Sequence, residues 1–500
     1  MAENIDYSDI VHHLRLSFNQ GKIRPVEQRI QQLKQFLKMM TENKELFVEA
    51  LHQDLRKPAF EATIMEYTVV VAELTKFIDN LPSWAAFQRT DADLLNKFNT
   101  CGIQYEPYGV ALIIGAWNYP LLLLLQPLIG CIGAGNCAVL KPSELSPVTA
   151  SLIESLVPRY LDEDCFRVIA GGKDETSALL RERFDYMFYT GGHVVGQIVM
   201  QAAAKYLTPV TLELGGKSPC YVDGDCNFDI TARRIIWGKY VNGGQTCLAP
   251  DYILCTKETE EKLTLSLKKA LKEFYGENPK ESKDLARIIN ERHFQRIRNL
   301  INQEKVVIGG DVDEDEKYIS PTVMTDVTSE DAVMKEEIFG PLLPIVKVIS
   351  ATEAVKFINK REKPLALYVF SKTESIIDKF INETSSGAVC VNDSIVQAAV
   401  PSLPFGGIGQ SGMGAYHGKF SFECFSHRKA CLIKKQNLEA LNAIRYPPYT
   451  DSNMKTACWF LMPSRNSKYM KFFFYFAVFS TAVYLLKSYN CLATVSRLWK

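Results

Sequence analysis

A cysteine in a glycine-rich run is the residue of this chain best suited to covalent chemistry. Residues 243–247 read Gly-Gly-Gln-Thr-Cys, and Pro250 follows shortly after. A thiolate is a strong nucleophile, and small residues around it let a substrate approach the backbone. Free cysteine is nonetheless among the most buried residue types, and it is usually inert. Because the glycines and the proline favour a loop over a core strand, a nucleophilic Cys247 and a packed Cys247 stand as equal alternatives.

Two polar side chains elsewhere in the chain are of the types that assist a nucleophile. Glu213 follows a β-like run and precedes two glycines, and a carboxylate at a strand end can act as a general base. Asn118 follows an apolar strand, and a side-chain amide there can donate to a developing oxyanion. Taken alone, Glu213 is better explained as a solvated loop acid, and Asn118 as a turn residue beside Pro120. The three residues predict an active site only if the fold brings them together.

A different segment has the pattern of a phosphate site. A predicted strand, residues 186–189, is followed by the run Gly191-Gly192-His193-Val194-Val195-Gly196, which opens a predicted helix. Backbone N–H groups at such a helix start bind phosphate. The run lacks the Gly-x-Gly-x-x-Gly spacing of the usual dinucleotide fingerprint. Residues 133–135 resemble that fingerprint more closely, but a strand is expected to follow them, so we do not assign them to a cofactor.

Three further candidates carry charge or an aromatic ring beside a turn. Lys141 and Glu144 flank a Pro-Ser turn at a strand end, where they suit ribose hydroxyls or are simply surface charges. Glu337 precedes Phe339 in a loop that turns sharply at Gly-Pro, and on its own it reads as a surface acid. None of these residues is specific by itself.

Composition restricts the class of protein. A chain of 500 residues predicts two or three domains. Its net charge of zero argues against a nucleic-acid partner. Thirteen cysteines include no Cys-x-x-Cys pair, and seven histidines show no metal-ligand spacing, so neither a disulfide framework nor a metal site is expected. The pattern is typical of a reducing compartment, where Cys247 stays a free thiol.

Hydrophobic periodicity predicts the elements that must position these residues. Helical spacing runs through residues 6–83, and short apolar strands then alternate with helices on both sides of Cys247. This alternation predicts an α/β fold with parallel sheets. The apolar run 110–140 contains prolines and glycines, and it is interpreted as a buried strand, a turn and a core helix. The run 472–486 carries no charge and lies near the end of the chain, so a membrane anchor is favoured over a packed final helix.

Six motifs together resemble the aldehyde dehydrogenase superfamily, and residues 403–419 and the uncharged tail resemble its class 3, membrane-anchored fatty aldehyde branch. The motifs are Trp117-Asn118-Tyr119-Pro120, Lys141-Pro142-Ser143-Glu144, Tyr189-Thr190-Gly191, Leu212-Glu213-Leu214-Gly215-Gly216-Lys217, Gly244-Gln245-Thr246-Cys247 and Glu337-Ile338-Phe339-Gly340-Pro341. Any one of them is weak, but six in family order over most of the chain are specific.

The resemblance implies a domain plan. It implies a Rossmann-like NAD-binding domain, an α/β catalytic domain, a small β oligomerisation element and a C-terminal hydrophobic helix. The expected ranges are 1–81 and 105–212 for NAD binding, 213–418 for catalysis, 82–104 and 419–435 for oligomerisation, 436–468 for a linker and 469–487 for the anchor. It also implies a homodimer on a membrane, with the catalytic body in the cytosol and the endoplasmic reticulum as the expected membrane.

The same resemblance implies roles for the candidate residues. Cys247 attacks the aldehyde, Asn118 holds the oxyanion and Glu213 activates water against a thioester. Lys141 and Glu144 are expected at the adenosine ribose. Residues 191–196 are expected at the pyrophosphate, and Glu337 and Phe339 at the nicotinamide end.

Three activities remain open on this fold. The first is NAD-dependent oxidation of medium- to long-chain aldehydes. The second is a CoA-acylating dehydrogenase, in which a hydrolytic Glu213 would be a liability. The third is an inactive, membrane-anchored binding protein, which would not need Cys247, Glu213 and Asn118. NAD is expected in preference to NADP, because the carboxylate of Glu144 repels a 2′-phosphate.

Overall fold

The structure is a computed structural model. It describes residues 6–92, 96, 99–436, 439–461, 476, 480 and 481. The helices, in chain order, are α1 Tyr7–Asn19, α2 Val26–Glu42, α3 Lys44–Leu55, α4 Ala59–Glu61, α5 Thr68–Ala85, α6 Leu122–Ala134, α7 Pro147–Tyr160, α8 Lys173–Leu179, α9 His193–Ala204, α10 Phe228–Tyr240, α11 Lys257–Tyr275, α12 Glu291–Arg298, α13 Ala351–Asn359, α14 Glu374–Glu383, α15 Lys419–Cys424, α16 Glu439–Asn442 and α17 Asp451–Leu461. A π-helical segment, Ala62–Tyr67, joins α4 to α5.

The strands alternate with these helices through most of the chain. They are β1 Gln88–Arg89, β2 Thr100–Pro107, β3 Val110–Ile114, β4 Cys137–Lys141, β5 Phe166–Val168, β6 Tyr186–Gly191, β7 Val210–Leu214, β8 Pro219–Val222, β9 Tyr252–Cys255, β10 Val306–Ile308, β11 Val312–Asp313, β12 Tyr318–Ile319, β13 Thr322–Met324, β14 Leu342–Lys347, β15 Ala366–Phe370, β16 Ala388–Val391, β17 Gly412–Met413 and β18 Ser426–Ile433.

Two large sheets organise these strands. The first has the order β17-β7-β6-β3-β4-β5, and its strands are parallel except for β17. The second has the order β10-β13-β14-β9-β8-β15-β16, and only β10 is antiparallel. Two small sheets have the orders β1-β2-β18 and β11-β12. The predicted α/β fold with Rossmann-like sheets is confirmed, since helices connect successive parallel strands.

Strand periodicity divides the core of the second sheet. In β15, Ala366, Tyr368 and Phe370 join one apolar cluster, whereas Leu367 and Val369 join another. Successive side chains of a strand point to opposite faces, so each face of this sheet has its own core. A sheet that is buried on both faces explains why its strands read as continuous apolar runs.

The first sheet packs against the amino-terminal helices in a third cluster. Leu33 and Phe36 of α2, Phe77 of α5 and Leu125 of α6 are fully buried there. The apolar run 121–125 therefore belongs to a core helix, as expected from the prolines and glycines of the longer run 110–140. Residues 133–135 end that helix and β4 follows, which confirms that this Gly-Ala-Gly run does not open a helix.

The chain divides into two compact units. The first contains residues 1–87 and 104–429, with both large sheets and all the candidate site residues. The second contains residues 88–103 and 430–500. In the second unit β1 pairs antiparallel with β2, Gln88 lying opposite Ile103. Helices α16 and α17 lie in the range for which a linker is expected, and the domain boundaries stay a prediction.

The predicted anchor, 469–487, lies outside the described residues except for residues 476, 480 and 481. Among the residues that the structure describes, no helix is both long enough and apolar enough to cross a membrane.

Candidate active site

The first sheet brings the candidate residues to one edge. Asn118 follows β3, Lys141 ends β4, residues 191–196 follow β6, and Glu213 is the fourth residue of β7. Since these four strands are parallel, their carboxyl ends meet at the same edge, where open α/β sheets bind ligands. Cys247 reaches this edge from the loop that precedes β9 of the second sheet.

Hydrogen bonds tie the Asn118 loop to the cysteine loop. Asn118 Nδ2 donates to the carbonyl of Gln245 at 3.0 Å, and the hydroxyls of Tyr119 and Thr246 lie 2.7 Å apart. Asn118 is almost fully buried. Its amide is therefore held against the backbone two residues before Cys247.

The cysteine loop has a backbone that favours glycine. Asn242, Gly243 and Gly244 all have positive φ angles, between 55° and 77°. The side chain of Gln245 then donates to the carbonyl of Arg287 at 2.9 Å and accepts from the amide of Ile289 at 3.0 Å. These contacts fix the loop ahead of Cys247, and Cys247 itself is partly exposed.

Electrostatics keep the thiol of Cys247 protonated. Burial raises its pKa well above the usual range, and the carboxylates of Glu337 and Glu213 raise it further. The backbone amides of Cys247 and Leu248 oppose this shift. The thiol therefore needs a base to become nucleophilic, and two carboxylates lie within electrostatic reach.

Glu213 is a buried carboxyl without a hydrogen-bond partner. It is 4% exposed, and neither of its oxygens is paired within the described part of the chain. Burial raises its pKa well above the ordinary value. On the neighbouring antiparallel strand β17, Gly412 lies directly opposite Glu213. In its ionised form, a carboxyl with a raised pKa is a stronger base than an ordinary carboxylate, so the carboxylate of Glu213 is suited to take a proton from water.

Glu337 is the second carboxyl near the thiol. Its Oε1 accepts from the amide of Gly216 at 3.1 Å, and a Cβ on Gly215 would lie 2.1 Å from its Oε2. Burial, with a smaller contribution from Asp251, raises the pKa of Glu337 to about 8. Lys217 bridges to Asp251 at 2.6 Å. Glu337 is thus fixed by a glycine segment and a charged network.

An aromatic group lies beside Glu337. Phe339 has a φ of 50°, and its ring meets Trp117 edge-on at 5.4 Å between centroids. His293 lies 5.0 Å from Trp117, and its two ring nitrogens are buried without a partner in the described structure. Burial lowers the pKa of His293 to about 4, so this imidazole is neutral at pH 7.

The predicted phosphate segment is confirmed as a strand end followed by a helix start. Gly192 caps α9 without a side-chain hydrogen bond, and a Cβ built on it meets nothing within 4 Å. The hydroxyl of Thr190 is buried and unpaired among the described residues. Lys141 lies 3.6 Å from Glu144, and burial lowers the pKa of Lys141. This arrangement suits a dinucleotide, with open backbone at the helix start and a charged pair at the neighbouring strand.

An apolar cavity of about 200 Å³ is lined in part by Leu248, the residue that follows Cys247. Its lining also includes Leu365, Leu403 and Phe405. The hydroxyl of Tyr368 donates to the carbonyl of Leu248 at 2.6 Å, which fixes this part of the cavity wall. The chain directly after the thiol therefore forms part of an apolar surface.

Four residues of this site were not found from the sequence: Lys57, Glu66, Asp251 and His293. Each lies far along the chain from the motif that it contacts, and none stands in a run that suggests chemistry. Asp251 is only four residues beyond Cys247, and a carboxylate so close to a predicted nucleophile was the one available signal.

We expect Gly244→Ala to destabilise the protein more than Gly21→Ala does. Both glycines have a φ of 77°, so alanine is strained in each by about 1–2 kcal/mol. A Cβ at Gly244 would lie 2.4 Å from the carbonyl oxygen of Gly340, whereas at Gly21 the nearest atom is 3.9 Å away. Overpacking should add about 1–3 kcal/mol at Gly244. Denaturant unfolding of both variants measures the difference, and equal losses would show that the two loops are not in tight contact.

Comparison with known proteins identifies the family. Residues 2–431 match the aldehyde dehydrogenase family. Aldehyde dehydrogenase family 3 member A2 from Rattus norvegicus is 49% identical over 95% of this chain and 99% of its own length. The dimeric, NADP-preferring aldehyde dehydrogenase from Mus musculus is 53% identical over 88% of this chain and 97% of its own.

A solved structure agrees with this assignment. The substrate-bound state of AldH from Staphylococcus aureus superposes with a TM-score of 0.89 at 42% identity, covering 91% of this chain and all of that one. The chain therefore belongs to the aldehyde dehydrogenase family and is an aldehyde dehydrogenase.

Proposed function

We propose that this enzyme oxidises medium- to long-chain aldehydes to carboxylic acids with NAD, through a thioester on Cys247. The observation that carries the proposal is the convergence of a thiol, an unpaired carboxyl at Glu213 and the amide of Asn118 at one sheet edge. The test is NADH formation with an aliphatic aldehyde, with and without CoA. No NADH from any aliphatic aldehyde contradicts the proposal.

The first step is addition of the thiol to the aldehyde. Once a base has taken its proton, Cys247 Sγ forms a bond to the carbonyl carbon, and the π electrons move to the oxygen. The amide of Asn118 and the backbone N–H of Cys247 hold this oxyanion, and such donors are worth a large part of the rate. The product of the step is a thiohemiacetal on Cys247.

Loss of hydride from the thiohemiacetal carbon would leave a thioester on Cys247, and the hydride acceptor would be supplied by bound NAD. The residues that suit its parts are the start of α9 for the pyrophosphate, Lys141 and Glu144 for the adenosine ribose, and Glu337 and Phe339 for the nicotinamide end.

The last step releases the acid. Glu213 takes a proton from water as the water oxygen attacks the thioester carbon, and Cys247 leaves as thiolate. Glu213 has no hydrogen-bond partner among the described residues, so its oxygens are free for this task. The same feature disfavours transfer to CoA, since an activated water would compete with the CoA thiol. A requirement for CoA in the NADH assay would support that alternative instead.

A hydrocarbon chain fits the surroundings of the thiol. Met65, Trp237, Ala398 and Phe405 are partly buried against the same apolar cluster as Cys247. Each methylene that enters such a surface contributes about 0.8 kcal/mol. kcat/KM should therefore rise from short to long aliphatic aldehydes, and a preference for acetaldehyde would contradict the medium- to long-chain assignment.

We expect Glu144→Gln to raise the use of NADP. The side chain of Glu144 is half-exposed beside Lys141, so its carboxylate meets a 2′-phosphate on the adenosine ribose as a like charge. Removing it should increase kcat/KM for NADP about tenfold, a change of roughly 1.4 kcal/mol in a partly solvated site. Glu163→Gln, an exposed carboxylate change elsewhere on the same domain, is the control.

The result also bears on a relative whose name records a preference for NADP. Wild-type enzyme that already uses NADP better than NAD would contradict the proposal for NAD, whatever the variant does.

We propose that residues 469–487 attach the enzyme to a membrane, with the catalytic body in the cytosol and the endoplasmic reticulum as the membrane. The uncharged run 472–486 and the lysines at 471 and 487 support this. A chain that ends at Tyr446 should lose the membrane fraction and keep its activity. Full-length protein in the soluble fraction of a cell lysate would contradict the anchor.

We further propose a homodimer. One relative is named as dimeric, and the ranges 82–104 and 419–435 are the expected bridging element. Light scattering of the chain that ends at Tyr446 measures the mass without the complication of detergent. A monomer at micromolar concentration would contradict this proposal.

A further inference from the structure

A buried ion pair that the mechanism above does not use contacts the Asn118 loop. Lys57 precedes α4, and Glu66 lies in the π-helical segment Ala62–Tyr67. Both side chains are fully buried, and Lys57 Nζ lies 2.5 Å from Glu66 Oε1. Replacing such a pair by well-packed neutral groups often leaves stability unchanged, because burying charge is costly. Stability alone therefore gives no reason for two charges here.

The pair holds both ends of one short segment. Lys57 Nζ donates to the carbonyl of Asn118 at 3.1 Å. Glu66 Oε2 accepts from the amides of Leu121 and Leu122 at 3.0 and 3.1 Å, at the start of α6. Two charges thus fix the beginning and the end of residues 118–122. Hydrogen bonds to charged groups are shorter and stronger than neutral ones, so this segment has little freedom to shift.

The cysteine loop holds the same carbonyl from another element. Asn242 Nδ2 donates to the carbonyl of Asn118 at 2.8 Å and to that of Gln245 at 3.2 Å. The ammonium of Lys57 also lies 4.2 Å from the centre of the Tyr119 ring, whose hydroxyl pairs with the loop. The backbone of Asn118 is therefore fixed by the ion pair and by the loop that carries the thiol.

We propose that Lys57 and Glu66 are positioning residues that set the location of the Asn118 amide relative to Cys247. The inference rests on the oxyanion role proposed above for Asn118. Neither residue touches the reacting atoms, and both act through the 118–122 segment. The π-helical geometry around Glu66 agrees with this, since such distortions recur at functional sites.

The test replaces both charges at once, because a single change would leave the other charge buried and unpaired. The double variant Lys57→Met, Glu66→Gln keeps the side-chain sizes. We expect the rate of the NADH burst to fall about 10- to 100-fold, because a small misplacement of a catalytic group lowers the rate by that order. The rate of Cys247 alkylation by iodoacetamide should stay within about twofold, because displacement of iodide creates no oxyanion.

A matched control removes an ion pair elsewhere. Lys305→Met with Asp331→Asn deletes a partly buried pair at 2.7 Å, and both rates should stay at the wild-type value. In an Asn118→Ala background, the Lys57→Met, Glu66→Gln change should cause no further loss, because it acts through a group that is already absent. Should the double variant fail to fold, Glu66→Asp, which keeps both charges and withdraws the carboxylate by one methylene, is assayed in the same way.

The outcomes separate this inference from the proposed function. Equal falls in burst and alkylation rates overturn it, since they indicate a disordered loop. A wild-type burst rate in the double variant, with a loss in Asn118→Ala, overturns this inference alone. A wild-type burst rate in Asn118→Ala overturns the oxyanion role and this inference with it.

Discussion

Cys247→Ala is expected to abolish NADH formation from every aldehyde, with a loss in kcat of at least about 10⁴-fold, since no other group can form the covalent intermediate. The reason lies in the position of the thiol. The loop 242–247 is fixed through Gln245 and through the Asn118 amide, which holds this sulfur at the site. The measurement is NADH absorbance at saturating aldehyde and NAD.

The control for this change is Cys226→Ala. Cys226 is also partly exposed, but it precedes α10 in the chain, and its Sγ donates a hydrogen bond to Asp225 Oδ1. Its replacement should leave kcat unchanged. Binding of NAD to Cys247→Ala, followed by quenching of protein fluorescence, should also match the wild type, because the candidate cofactor residues lie on β4, β6 and the 337–339 loop. NADH formed by Cys247→Ala above the background rate would contradict a covalent mechanism.

The identity of the nucleophile was predictable because its local signal is strong. Glycines at 243 and 244 favour a loop, and the structure uses both at positive φ. Asn118 and Glu213 gave weaker signals, because a polar residue near a strand end is common. What brings them to the thiol is the strand order of the first sheet. In this sheet β6 lies between β3 and β7, although β4 and β5 separate β3 from β6 in the chain. Sequence alone does not report that order.

The buried ion pair of Lys57 and Glu66 was not predictable from local sequence. Lys57 lies between α3 and α4 and Glu66 lies in the π-helical segment, more than fifty residues from the segment that they hold. Hydrophobic periodicity finds the buried face of a helix, and it assigns charged residues to the solvent face by default. A buried ion pair contradicts that default, so only the tertiary structure reveals it.

The two carboxyls near Cys247 differ in their surroundings, which separates their roles. Glu337 accepts from Gly216 and lies near Lys217 and Asp251, so it is held in place. Glu213 has no partner among the described residues and only apolar burial to shift its pKa. A carboxyl that must exchange a proton with water gains from free acceptor oxygens, whereas one that holds the nicotinamide end of the cofactor gains from a fixed position. This difference makes Glu213 the better candidate for the hydrolytic base.

Glu213→Gln is the change that tests this assignment. It preserves shape and removes the base, so the thioester should still form and release one NADH for each site. Hydrolysis should then fall about 10²- to 10⁴-fold, the usual contribution of a general base. Stopped-flow absorbance should show a burst of NADH followed by a slow steady state. Hydroxylamine attacks a thioester without help from a base, so adding it should restore turnover and yield a hydroxamate.

Glu337→Gln is the matched control for that experiment, because it removes the other buried carboxyl and keeps an acceptor for Gly216. It should weaken NAD binding and slow the burst, and hydroxylamine should not restore its rate. The opposite pattern, with rescue in Glu337→Gln and a lost burst in Glu213→Gln, would assign water activation to Glu337. Loss of the burst in both variants would mean instead that each carboxyl acts before the thioester forms. Only the expected pattern assigns hydrolysis of the thioester to Glu213, the carboxyl that has no hydrogen-bond partner among the described residues.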